Sequence, residues 1–283
     1  MRLRQQLLTR NECYITGKTI RPKGVMVHST GANNPNVSRY VPGNPEIGQS
    51  GNPRWNVYHP GGKDIGPHPY IYDQKTKRCK TCGGRQVCVH AFVGKFSDGQ
   101  AGVVQTLPWT MRGWHSGSGK KGSAQNTHIG FEICEDGLDD PEYFRAVYRE
   151  AVELTAMLCR EYSLDPLADG VVICHQEGYR RGLASNHKDV LHWFPRHGKT
   201  MDDFRADVAR AMKGEDDEMS YEQFKEYMDR YEKERAALPA PAWAEKTGEW
   251  DRAHSAGIIA DLSRPQSPAT RVEVAAMILR ARK

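Results

Sequence analysis

From Pro141 to Tyr162, the residues Phe144, Val147, Tyr148, Ala151, Leu154, Leu158 and Cys159 recur at spacings of three and four, with charged residues between them. Only an α-helix turns that period into a single apolar face. Asp140-Pro141 supplies an N-cap followed by proline at the first helical position. A one-faced helix of this length needs an apolar surface to cover, and the surrounding chain offers strands. Gly24–Thr30, Val87–Val93, Gly102–Gln105, His128–Cys134 and Gly170–Cys174 are short, apolar and rich in β-branched residues. Trp55–His59 reads as a further strand. Residues 201–212 read as a second helix with Phe204, Val208 and Met212 on one face. Strands and helices alternate through the first 213 residues, which predicts an α/β fold with a mixed central β-sheet flanked by helices.

At 283 residues the chain has room for one enzyme-sized domain plus an accessory piece. Its character changes near residue 214. Gly214–Glu218 is acidic, and Ser220–Ala237 is a charged helix striped by Tyr221, Phe224, Met228 and Tyr231. Pro239-Ala-Pro241 then punctuates the chain. The expected division is a catalytic domain at 1–213, an acidic linker and helix at 214–242, and a small mainly helical module at 243–283. The stripe suits docking on the catalytic domain or pairing with a second copy, as in a homo-oligomer.

Charge and apolar content narrow the partners. The net charge of +5 suits a polyanion such as a wall polymer or a nucleic acid. There is no nucleic-acid motif and no continuous basic run, so nucleic acid is not an expected partner. No stretch approaches the ~20 apolar residues of a membrane span. The basic start Met1–Arg10 lacks a following apolar region, so no signal peptide is expected. Such a protein is expected to be made and kept in the cytoplasm unless something else releases it. Seven cysteines, an odd number, do not suggest a disulfide framework. Cys134, Cys159 and Cys174 sit in apolar runs and read as small buried hydrophobes.

Two strands end in histidine, at Val25-Met-Val-His28 and Val172-Ile-Cys-His175, and Asp189 follows fourteen residues after the second. Two imidazoles, one carboxylate and an open position make a recognised catalytic zinc set. Two of eleven histidines at strand ends can equally be packing residues, so both readings stand at this point.

Five segments, in order, resemble those of the type 2 N-acetylmuramoyl-L-alanine amidases, a family that includes the peptidoglycan recognition proteins. They are Gly24-Val-Met-Val-His-Ser-Thr-Gly31, Gly113-Trp-His-Ser-Gly117, Asn126-Thr-His-Ile-Gly-Phe-Glu132, Ile173-Cys-His-Gln-Glu177 and His187-Lys-Asp189. The runs Arg112–His115 and Arg181–His187 look most like those of clostridial prophage amidases. The resemblance implies Zn²⁺ held by His28, His175 and Asp189, with Glu132 as catalytic acid–base. It places His187 where many members carry an oxyanion-stabilising lysine. It places His115 near substrate, with Trp114 and Asn56 grouped beside it. The chain departs from the family after the last ligand, where Asp189-Val-Leu-His-Trp193 stands. His187 is therefore a rival third ligand. Asp189 is preferred because the family's last ligand lies two residues after the oxyanion donor.

The implied activity is hydrolysis of the lactyl–L-alanine amide of peptidoglycan, as in a phage or prophage endolysin. A cytoplasmic muropeptide-recycling amidase and a non-catalytic peptidoglycan binder are the alternatives. Cys79-Lys-Thr-Cys82-Gly-Gly84 resembles a zinc-knuckle turn, with Cys88 and His90 as partners for a structural metal; unligated thiols are the other reading. Glu249–Ile258 with Pro268–Met277 resembles one S-layer homology repeat, implying a wall-polymer partner. His128, His192 and His197 read as packing or surface histidines, and Trp109 and Trp193 as core.

Overall fold

The computed structural model describes residues 1–49, 55–214, 221–239, 242–259 and 271–281. They fall into two compact units, Met1–Asp216 and Asp217–Lys283. The first begins with β1 (Leu3–Gln5), α1 (Glu12–Thr16), β2 (Gly24–Asn33), β3 (Ala91–Lys95), β4 (Ala101–Gln105) and β5 (His128–Glu135). It continues with α2 (Pro141–Glu161), β6 (Val172–Cys174), α3 (His175–Arg180) and α4 (Met201–Met212).

The six strands form one mixed sheet in the order β1-β4-β3-β5-β2-β6. β3 and β4 are antiparallel and every other pairing is parallel. Side chains alternate across such a sheet, and the two faces meet different partners. Val25, Val27, Ile129, Phe131, Ile133 and Val172 face α2, whose Val147, Ala151, Leu154 and Leu158 are fully buried against them. The other face carries Met26, His28, Glu132, Phe92 and Val104 toward the loops.

Segment 190–204 is anchored by aromatics. Trp193, Phe194 and Phe204 are fully buried, and Phe144 of α2 meets the rings of Trp193 and Phe194 at 5.4 and 5.6 Å. Each such side chain contributes about 2–3 kcal/mol by leaving water. Val190 and Trp193, from the run that follows Asp189, thus lie within this core.

Several expectations need correction. Trp55–His59 is not a strand. Its main chain serves α1 instead: the Asn11 side-chain amide donates to Trp55 O and Val87 O, while the Glu12 N–H donates to Tyr58 O. The strand expected from Val87 begins at Ala91, because Cys88 exchanges backbone hydrogen bonds with Trp114. β6 ends at Cys174, so His175 opens a helix rather than closing a strand. β1 is a short, polar edge strand with no apolar alternation to announce it.

The second unit contains α5 (Tyr221–Ala236), α6 (Ala242–Thr247), α7 (Glu249–Ser255) and α8 (Arg271–Ala281). Tyr227, Tyr231, Val274, Ile278 and Leu279 are exposed. The acidic stretch Glu215–Glu218 and the middle of the S-layer-like segment, 260–270, lie outside the described residues, as do the side chains of Tyr221 and Phe224.

Candidate active site

β5, β2 and β6 run side by side and parallel, and their C-terminal ends carry the predicted chemistry. His28 stands opposite Glu132 in register, and Val27 opposite Cys174, which puts His175 next to the same edge. The C-terminal edge of parallel strands is where open α/β sheets place ligands. Here it opens into a cleft of about 850 Å³ lined by His28, Trp114, His115, Glu132, His175, His187 and Asp189.

His28 Nδ1 lies 3.0 Å from Asp189 Oδ2 and 3.1 Å from His175 Nδ1, and His175 Nδ1 is 3.6 Å from the same carboxylate oxygen. The hydrogens on these rings follow from their other partners. His115 Nε2 faces the carbonyl of His128 at 3.2 Å, so it must donate, and Nδ1 of the neutral ring must accept from His28 Nε2 at 3.0 Å. Burial, then His28 and His90, push the His115 imidazole well below its ordinary range and keep it neutral. In the neutral His28 ring, Nδ1 is then a bare lone pair. Burial first, then the neighbouring His28, brings His175 down to about 3. Its Nε2 is directed at Ser185 Oγ and His187 Nδ1, both at 3.3 Å.

With its hydrogen on Nε2, toward those two groups, His175 also offers an Nδ1 lone pair, so that two lone pairs and a carboxylate oxygen converge. Acceptors packed this closely repel unless a cation lies among them. Nitrogen and oxygen ligands about 2.0–2.1 Å from a tetrahedral zinc sit ~3.3 Å from each other. The three observed separations bracket that value, so the residues fit the metal.

Glu132 stands beside this cluster on β5. Its Oε2 is buried and has no hydrogen-bond partner among the described residues. Burial, then the Asp189 and Glu135 charges, push its carboxyl well above the ordinary range. A divalent cation between the three ligands would oppose those two charges. Gly130, two residues earlier, has a packing reason: a Cβ there would lie 2.4 Å from His115 Nδ1.

His175 is placed by its helix. Glu177 accepts the Cys174 N–H at 3.0 Å, and Arg205 of α4 grips both Glu177 oxygens at 3.1 and 3.2 Å. His187, the rival ligand, is turned away from the convergence point. It is exposed at the rim, with its ring beside His175 at 4.6 Å. Trp114 lines the cleft under the Arg112 guanidinium, 4.9 Å from its ring.

Asn56 does not reach the cleft. It accepts the Arg10 N–H at 2.9 Å and lines a separate recess with Arg10 and Asp64. Cys88 and His90 are not brought to Cys79 and Cys82 either. Cys88 is fully buried in the core beside Cys13. His90 accepts from the Gly130 N–H at Nδ1 (3.0 Å) and donates from Nε2 to Met111 O (2.7 Å). Instead, His59 and His68 meet the two cysteines. Sequence reasoning passed over these two histidines, whose only signal is that they precede the Cys-x-x-Cys in the same irregular stretch. It also missed Arg39, Arg78, Arg85 and Lys188, which give the cleft a cationic rim.

The profile of the N-acetylmuramoyl-L-alanine amidase family matches residues 18–191. No curated protein sequence matches the chain. Among solved structures, the chain is similar to the Staphylococcus aureus hydrolase AmiA in complex with its ligand, at 15% identity and a TM-score of 0.49, over 75% of this chain and 83% of that one. It is similar to the PlyG catalytic domain at 18% identity and a TM-score of 0.46, over 75% and 96%. A mutant endolysin from Bacillus subtilis matches at 20% identity and a TM-score of 0.42, over 74% and 99%.

Proposed function

The chain belongs to the N-acetylmuramoyl-L-alanine amidase family, and from that premise we propose that its cleft hydrolyses the lactyl–L-alanine amide of peptidoglycan with zinc held by His28, His175 and Asp189. The observation that carries the reading is the convergence of His28 Nδ1, His175 Nδ1 and Asp189 Oδ2 within 3.6 Å of one another, beside the partnerless Glu132 oxygen. When bound, zinc supplies a Lewis acid that polarises the scissile carbonyl and lowers the pKa of water. Glu132 takes the proton of the attacking water and returns it to the leaving alanine nitrogen. His187, at the rim, donates a hydrogen bond to the developing oxyanion. Trp114 packs on the glycan or peptide stem, and Arg39, Arg78, Arg85 and Lys188 face the stem's carboxylates.

In this reading residues 1–213 are the catalytic domain and 214–242 a linker. Residues 243–283 form an S-layer-like module that holds the enzyme on a wall polymer, as an endolysin requires. The test is the chemistry of a cell-wall digest. Free amino groups should rise with no new reducing sugar ends, and a chelator should abolish the release. Reducing ends would assign the cleft to glycoside hydrolysis, and activity unaffected by chelation would remove the metal.

A further inference from the structure

The stretch from Trp55 to His90 holds no helix and no strand of the sheet. Between Pro60 and Gln86 its larger apolar side chains do not make a core, since Ile65, Ile71 and Tyr72 are 53%, 51% and 44% exposed. A lobe of this size without a core needs another staple. At its centre are four side chains from two separate turns. His59, Cys79 and Cys82 are buried and His68 half-buried, and their ligand atoms lie within 4.8 Å of one another.

The separations are specific. His59 Nδ1 is 3.1 Å from His68 Nε2, Cys82 Sγ is 3.4 Å from His59 Nδ1, and Cys79 Sγ is 3.7 Å from His68 Nε2. A tetrahedral zinc with ligands at about 2.0–2.1 Å (N) and 2.3 Å (S) sets N···N near ~3.3 Å and S···N near ~3.6 Å. The outer nitrogens of both rings face acceptors. His59 Nε2 donates to Glu12 Oε2 at 3.1 Å, and His68 Nδ1 to Gly66 O at 2.7 Å. In the neutral rings the inner nitrogens are then bare lone pairs aimed at each other. A carboxylate or carbonyl behind each histidine is the supporting arrangement that metal-ligating imidazoles show.

The cysteine turn is equally prepared. The Gly84 N–H lies 3.3 Å from Cys82 Sγ, and the Gly83 N–H donates to Cys79 O. Gly84 passes so close to His59 that a Cβ would lie 2.2 Å from its carbonyl oxygen.

We propose that His59, His68, Cys79 and Cys82 bind a second, structural zinc ion that clasps this lobe. Two thiolates balance the ion's charge, and two nitrogens with two sulfurs suit tetrahedral zinc over harder ions. The clasp joins the lobe to α1 through Glu12 and fixes the cleft wall formed by Pro60, Gly61, Arg78 and Arg85. It stands whatever reaction the cleft performs.

Metal analysis of the full chain tests it. The expected content is two zinc ions per chain, one remaining in Cys82→Ser and one remaining in His28→Ala. Cobalt loading supplies a readout on the unaltered protein. Thiolate-to-cobalt charge-transfer absorption should appear in the native chain and in His28→Ala, and be lost in Cys82→Ser. Absence of that band in cobalt-loaded native protein would overturn the site. So would Cys79 and Cys82 reacting freely with a thiol reagent, or joined in a disulfide, in metal-loaded protein. Neither failure would touch the cleft, whose metal is read separately in Cys82→Ser.

Discussion

His28 can present Nδ1 to a cation only while Nε2 keeps its hydrogen, and His115 is the group that keeps it there. The chain of donors runs from His28 Nε2 to His115 Nδ1, and from His115 Nε2 to the His128 carbonyl. Replacing His115 with alanine removes that constraint without removing a ligand. Zinc affinity should fall about 10–100-fold, measured by competition with a chromophoric chelator; unchanged affinity would return His115 to a purely substrate-facing role. Asp189 and His187 divide differently. Asp189→Ala should lose the cleft metal, whereas His187→Ala should keep it and lower kcat by about a hundredfold or more. Metal content beside turnover separates the two, and the opposite pattern would exchange their roles. The residues around the convergence point were legible because their segments follow one another in a fixed order, although β2 runs on past His28 to Asn33 and β5 past Glu132 to Glu135. Asn56 was misplaced because its segment reads as a strand, while a distant residue, Asn11, takes up the main chain at Trp55. His59 and His68 were invisible for a similar reason, since nothing local says that two turns of an irregular lobe will meet.

At the scale of elements, the sheet and α2 were readable from periodicity, since both bury one clean face. The short pieces were not. β1 is three residues of Leu-Arg-Gln on an edge, and α3 depends on the Glu177–Arg205 pair, which links positions 28 residues apart. His90 belongs to this level, because its ring ties the end of the β3 approach to β5 and to the loop at Met111. It does so as a neutral imidazole, and burial lowers it to about 4. The unfolded chain, with an ordinary value near ~6.5, takes up its proton first as pH falls. The contribution of His90 is therefore fully present above about pH 6.5 and is eroded as pH drops toward about 4, by up to ~3 kcal/mol. Denaturant unfolding at a series of pH values should show this slope, and His90→Gln should flatten it. Equal slopes in the two proteins would mean that His90 is protonated in the fold.

For the whole molecule, every residue proposed to act on substrate precedes Lys213, and Met1–Asp216 is compact by itself. A protein ended at Lys213 should fold, hold zinc and cleave soluble muropeptides at nearly the rate of the full chain. Its clearing of intact walls should fall, because the tail, in the proposed function, raises the local enzyme concentration at the wall. Equal loss on both substrates would show that the tail supports the catalytic fold. The tail was the least legible part of the sequence, since a single repeat of about 40 residues cannot display the internal periodicity that makes arrays recognisable. The central claim is that one amide bond is opened by water in this cleft. Digestion of cell walls in heavy-oxygen water, followed by mass spectrometry of the fragments, tests it most directly. The predicted result is one heavy oxygen in the lactyl carboxylate of the glycan and none in the released peptide with its free alanine amine. Label at a sugar reducing end, or in a carboxylate within the peptide stem, would contradict it.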